Sequence, residues 1–131
     1  MKRPRYGKYG VAPVEERTVD GIVFASKAES RRYAELKVLQ KSGAISRLGL
    51  QPPFALTVKG VTVGTYVGDF AYWIGVPGYG GLWVIEDVKG VRTPVYILKK
   101  KLVKAIYGID IQEVGLPARK GRACKARSTK R

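Results

Sequence analysis

Four residues of types that can act on a phosphodiester stand out: Glu29, Asp69, Asp87 and Lys89. The last two close the stretch Trp83-Val84-Ile85-Glu86-Asp87-Val88-Lys89-Gly90, an apolar run that ends in an acid, one spacer, a lysine and a glycine. Side chains of a strand alternate between its faces, so Asp87 and Lys89 share one with Trp83 and Ile85. Val84, Glu86 and Val88 take the other. A carboxylate beside an ammonium suits metal-dependent hydrolysis of a P–O bond. Carboxylates bind Mg²⁺, the ion polarises the phosphate and lowers the pKa of a bound water, and lysine orients that water or offsets charge on the phosphorane. A dry site strengthens each of these interactions.

Composition sets the bounds. A chain of 131 residues is long enough for one cored domain and short for two. Hydrophobic content of 45% and charged content of 27% are those of an ordinary soluble protein. No apolar run approaches a bilayer span, and the basic N-terminus lacks the apolar stretch of a secretory signal. The lone cysteine, Cys124, excludes a disulfide framework, a zinc ligand set and a redox pair. With no histidine, Ser-His and Cys-His nucleophilic catalysis are also excluded.

The net charge is +15, and its distribution is uneven. Residues 1–8 and 115–131 hold eleven of the 25 basic residues and no acid, leaving 14 basic against 10 acidic residues between them. Basic ends of this kind neutralise phosphates without reading sequence, which makes nucleic acid the expected partner over an anionic membrane surface.

The elements that must position the four residues can be read in order. Residues 1–16 are expected to form a flexible basic arm, 17–114 the domain, and 115–131 a basic tail. Asp20-Gly21 predicts a tight turn in a short hairpin over 17–24. Ser26, with Glu29 three residues on, predicts an N-cap and a helix to about Lys41, which Ser42-Gly43 ends. Tyr33, Leu36 and Leu39 fall near one face with Glu29, while Arg31, Glu35 and Lys41 face solvent. Gln51-Pro52-Pro53 is an extended entry that cannot lie in a central ladder. Strands are expected over 54–58, 61–63 and 65–73, with a turn at Lys59-Gly60. A glycine-rich loop over 75–81 returns the chain antiparallel along 82–89, bringing Asp69 near that strand. Thr93-Pro94 opens a helix to Tyr107, with Val95, Leu98, Leu102 and Ile106 as its apolar stripe and Lys99, Lys100, Lys101 and Lys104 around its exposed side. Gly108 stops it, and 109–114 alternates as a last strand.

Each acid has a plainer alternative. Glu29 could be a capping-box residue bonding the N-cap amide. Asp69 could sit on an edge strand facing solvent or a lysine. Glu86 could replace Asp87 as a ligand if a bulge shifts the register.

An acid on an upstream helix, one on a preceding strand, and D-x-K at a strand end before a basic helix together resemble the PD-(D/E)xK nuclease superfamily. Within it the chain is similar to archaeal-type Holliday-junction resolvases and to small phage-encoded proteins. The shared strings are Phe24-Ala25-Ser26-Lys27-Ala28-Glu29, Tyr33-Ala34-Glu35-Leu36, Asp69-Phe70-Ala71-Tyr72 and Glu86-Asp87-Val88-Lys89-Gly90. The resemblance covers roughly 21–114. It departs in having Gly68 before the first acid, where the superfamily's name has proline, and Asp87 where resolvases most often have glutamate.

The resemblance implies an α/β fold with an α-β-β-β-α-β restriction-endonuclease-like core, a mixed central sheet flanked by helices, and basic tails. It implies Glu29, Asp69 and Asp87 as ligands of Mg²⁺, with Mn²⁺ as a substitute, and Lys89 beside the attacking water. It further implies a cytoplasmic homodimer that resolves four-way DNA junctions by paired nicks. Lys27, Arg31, Arg32, Lys99, Lys100 and Lys104 would grip phosphates, and Thr65 or Ser26 could supply a hydroxyl near the metal. The alternatives are another nuclease of this superfamily, acting in repair or transposition, or a basic DNA-binding protein without catalysis.

Overall fold

The computed structural model describes residues 11–76 and 78–115. The expected arm up to residue 10 and the tail from residue 116 lie outside the described residues. The arm's last part is not loose. Val14–Arg17 forms a 3-10 turn, Ala12 is buried, and the Arg17 guanidinium donates to the carbonyls of Ala12 (3.1 Å) and Phe24 (2.5 Å). One arginine bonding two carbonyls supplies the anchor that composition alone does not reveal.

β1 (Thr18–Val19) and β2 (Ile22–Val23) pair as the expected hairpin, with Asp20 and Gly21 both at positive φ. α1 (Lys27–Ser42) starts at Ser26, whose hydroxyl accepts from the Glu29 amide at 3.1 Å, and ends at Gly43 with φ 86°. Tyr33 and Leu36 are its buried apolar residues, whereas Leu39, expected on the same face, is exposed.

The strand assignments need two corrections. β3 (Ser46–Leu50) was not expected, yet it is an edge strand of the main sheet, pairing antiparallel with β6 (Phe70–Val76). Its Ser-Arg-Leu-Gly-Leu sequence lacks β-branched residues, and its ladder is irregular between Ser46 and Gly49. Pairing with a neighbour decides it, which is a tertiary effect that local propensity does not carry. The expected strand 65–73 is two strands. β5 (Val61–Val67) pairs with β4 (Pro53–Val58) in a separate two-stranded hairpin, and β6 starts after Gly68-Asp69. Asp69 therefore sits at a break and not in mid-strand.

β7 (Gly80–Val88) runs antiparallel to β6 through an uninterrupted register from Phe70↔Glu86 to Val76↔Gly80. α2 (Pro94–Tyr107) follows, capped by Thr93 and stopped by Gly108 at φ 70°, and leads to β8 (Gln112–Val114), parallel to β7. The main sheet thus has order β3-β6-β7-β8 and mixed direction. The chain is a mixed α/β fold. No described helix is long and apolar enough to cross a membrane.

Each sheet face has its own core. α1 covers one, with Phe24, Tyr33, Leu36, Ile45, Phe70 and Tyr72 packed together. Leu56, Tyr66, Tyr96, Val103 and Ile111 form the second, where α2 meets the β4–β5 hairpin. The expected stripe on α2 is displaced. Val95 and Leu98 are exposed, whereas Tyr96 and Val103 are buried and Lys99 and Lys100 are half-buried. Apolar residues surround much of this helix, so periodicity alone does not select its inner face.

Candidate active site

Asp69 is placed by a close approach of three chain segments. The Gly68 amide donates to the Pro52 carbonyl, the Asp69 amide to Glu86, and the Gln51 amide to Asp69, all at 3.0 Å. A side chain at position 68 would put its Cβ 3.1 Å from Ile85 Cγ2 and 3.2 Å from Pro52 Cγ, so anything larger than glycine needs those side chains to yield by a few tenths of an ångström. The Asp69 carboxylate then accepts from the Val88 amide at 2.7 Å, acting as a side-chain rung at the end of the ladder.

Asp87 lies one residue from that rung and is 2% exposed. One oxygen is 3.0 Å from Lys89 Nζ and the other accepts from the Tyr66 hydroxyl at 2.6 Å. Lys89 Nζ also stands 4.3 Å from the centre of the Tyr96 ring, a cation–π seat on α2. The alternation that predicts Asp87 and Lys89 on one face thus gives an ion pair between a buried carboxylate and a partly exposed ammonium, held by two tyrosines that sequence reasoning missed. Neither tyrosine carries a local signal; each is visible only once α2 and β5 are folded over the strand.

The question of Glu86 is decided by the regular register. Glu86 points to the opposite face, where Arg32 Nε and Nη2 bond its two oxygens at 2.8 and 2.5 Å and the Tyr72 hydroxyl donates at 2.6 Å. Burial and then the bond to Glu86 push the Tyr72 phenol up to about 12. Both oxygens are engaged away from Lys89. Arg32, expected to grip phosphate, is therefore committed to a buried ion pair.

Glu29 stands at the first turn of α1. Burial raises its pKa most, the Ala25 amide opposes this, and Asp87 and Lys89 then act in opposite senses. Both readings of Glu29 survive in part: it sits near a backbone amide at the helix start and within electrostatic reach of the strand pair. Asp69 is pushed up to about 7, chiefly by burial and then, against the help of the Val88 amide, by the charges of Glu29 and Asp87. Glu29 and Asp69 also line one recess of about 170 Å³. The three acids are mutually repelling neighbours.

Among the described residues, no group of three or more acidic side chains is arranged to hold a metal ion. The donor types nonetheless fit a hard cation. Mg²⁺ keeps several waters and is commonly bound by one or two carboxylates together with substrate phosphate. Asp69 and Asp87 would be those carboxylates, with Glu29 facing them.

A raised folded pKa favours the protonated form, so the stability Asp69 contributes is fully present below its ordinary value of 3.8 and is lost as pH rises through about 7. Glu29 shifts in the same direction. Glu113 works in another window. Arg92 first, then Lys100 and Tyr96, hold it down at about 2, so its contribution is lost only below the ordinary 4.5. The melting temperature of the protein without divalent ions should accordingly fall as pH rises from about 4 to about 7. A flat or rising profile over that range would remove the repulsion described here.

The other expected phosphate contacts are differently engaged. Lys27 pairs with Glu16 at 3.2 Å and Arg31 is exposed. Lys99 donates to the Thr65 carbonyl at 2.9 Å, Lys100 to Glu113 at 2.8 Å and Lys104 to Asp110 at 2.5 Å. A roomier groove of about 390 Å³ lies beside α2, lined by Arg92, Lys100, Lys101 and Lys104. Its cations face Glu113 and Asp110, and none of the four candidate catalytic residues lines it. Glu29 and Asp69 line the smaller recess instead, and Asp87 and Lys89 line neither. Of the two hydroxyls considered, Ser26 is used as the α1 cap and Thr65 is exposed on β5.

No curated protein and no solved structure matches the chain. The family described as protein of unknown function DUF1064 matches residues 7–115, which take in both helices, all eight strands and every residue of the acid cluster. The chain belongs to the DUF1064 family.

Proposed function

We propose that the protein is a divalent-metal-dependent endodeoxyribonuclease that nicks four-way DNA junctions, with Asp69, Asp87 and Lys89 around the scissile phosphate. The observation that carries this reading is the Asp87–Lys89 pair at 3.0 Å, its carboxylate buried beside a second one whose pKa is raised. Two acids pressed together out of water are costly unless a cation or a proton offsets them. Mg²⁺ bound there would polarise the phosphate and lower the pKa of its water. Lys89, held by Asp87 and the Tyr96 ring, would offset charge developing on the phosphorane. Glu29 would orient the attacking water or take its proton. Arg31, Lys101 and the basic ends would hold the arms of the junction through phosphates, and a homodimer would pair the two nicks.

In Mg²⁺ the protein should cut a synthetic four-way junction faster than linear duplex of the same sequence at the same salt. Excess EDTA should stop it. Equal rates on both substrates would leave a nuclease acting on other DNA, in repair or transposition.

The lack of a closed acidic trio among the described residues favours a second reading, a basic DNA-binding protein without catalysis. Titration calorimetry decides between them. Binding of Mn²⁺ that is lost in Asp69→Asn supports the enzyme, whereas absence of Mn²⁺ binding supports the binder.

A further inference from the structure

Apart from Glu29, Asp69 and Gln51, the residues lining this recess are apolar. Of its lining residues Phe24 and Phe70 are buried, at 7% and 1% exposed, while Val23 and Leu50 are exposed. No lysine or arginine lines it, so a phosphate would meet two acids and no cation there. Gln51 supplies the one uncharged amide side chain of the lining.

Gln51 is conspicuous for its backbone as well. It has φ 49°, a conformation L side chains other than asparagine and aspartate seldom adopt, and its amide donates to the Asp69 carbonyl. The bend between β3 and β4 is thereby fixed to the backbone of the acid, with the glutamine side chain at the edge of the recess.

About 170 Å³ is well under the roughly 300–1,000 Å³ that encloses a drug-sized ligand, and suits a single flat ring system. Apolar walls with one amide at the edge match a heterocyclic base, which offers apolar faces and a hydrogen-bonding rim. Resting on the nuclease reading, we infer that this recess receives the base of the nucleotide beside the scissile phosphate, unstacked from its neighbours, and that Gln51 hydrogen-bonds its edge.

The test maps the cut on one junction, then measures cleavage of junctions carrying each of the four bases, or an abasic sugar, next to it. Wild-type rates should spread about tenfold among the bases, and the abasic junction should be cut about tenfold more slowly than the best of them. Gln51→Gly removes the amide and is suited to the positive φ, so it should keep the wild-type melting temperature while narrowing the spread to about twofold. A 2-aminopurine at that position should brighten on binding to wild-type protein in Ca²⁺. Equal wild-type cutting of all five junctions, or a spread unchanged in Gln51→Gly, overturns the base site. In either case cleavage that Asp87→Asn abolishes leaves the nuclease reading intact. No cleavage by the wild-type protein overturns both.

Discussion

The Asp87→Asn protein should bind junction DNA and cleave it at least about a thousandfold more slowly than wild type, the upper range for removing one preorganised charge from such a site. Asparagine keeps the volume of aspartate and can still accept from the Tyr66 hydroxyl. What disappears is the charge that holds Lys89 and would hold the metal. The fold should survive, since Lys89 is partly exposed and can turn to water. Melting temperature and cleavage rate measured on the same preparation separate the two effects. Cutting within tenfold of wild type would remove Asp87 from the catalytic assignment. Asp69→Asn should lose activity comparably, but with a gain in stability at pH 8, because it also removes a repelled charge.

The Arg32→Ala protein should be destabilised by about 3–5 kcal/mol, the usual cost of stranding one partner of a buried ion pair. Glu86 is 2% exposed, and the guanidinium bonds both its oxygens. Without it the carboxylate keeps only the Tyr72 hydroxyl. A phosphate-gripping arginine would behave in the opposite way, losing DNA affinity with little change in melting. Replacing both partners, as in Arg32→Met with Glu86→Leu, should recover most of the lost stability, since apolar packing often matches such a pair. Urea denaturation of the single and double variants gives the comparison directly. A single variant as stable as wild type would return Arg32 to the DNA-contact set.

What the sequence conveyed and what it hid divide along a physical line. Caps, tight turns and side-chain alternation are local, so Ser26, Asp20-Gly21, Thr93-Pro94 and the shared face of Asp87 and Lys89 could be read directly. The packing of one element on another is not local. Tyr66 and Tyr96 read as ordinary apolar positions until the β4–β5 hairpin and α2 close over β7. β3 was hidden because a glycine-containing strand depends on its partner for recognition. Arg32 reads in the sequence as a phosphate-gripping cation, and only the register that turns Glu86 toward α1 reveals the carboxylate it pairs with. Gly68 reads in the sequence only as a departure from proline, and its close approach to Ile85 and Pro52 appears only in the folded chain.

Glu86 and Asp87 are chain neighbours on opposite faces of β7, one bonded to Arg32 of α1 and the other to Lys89 and Tyr66. Because the pleat repeats every two residues, sliding β7 by a single step would turn each acid to the other face and break both sets of contacts. Length changes in the β6–β7 hairpin are therefore tolerable only where the turn or a bulge absorbs them.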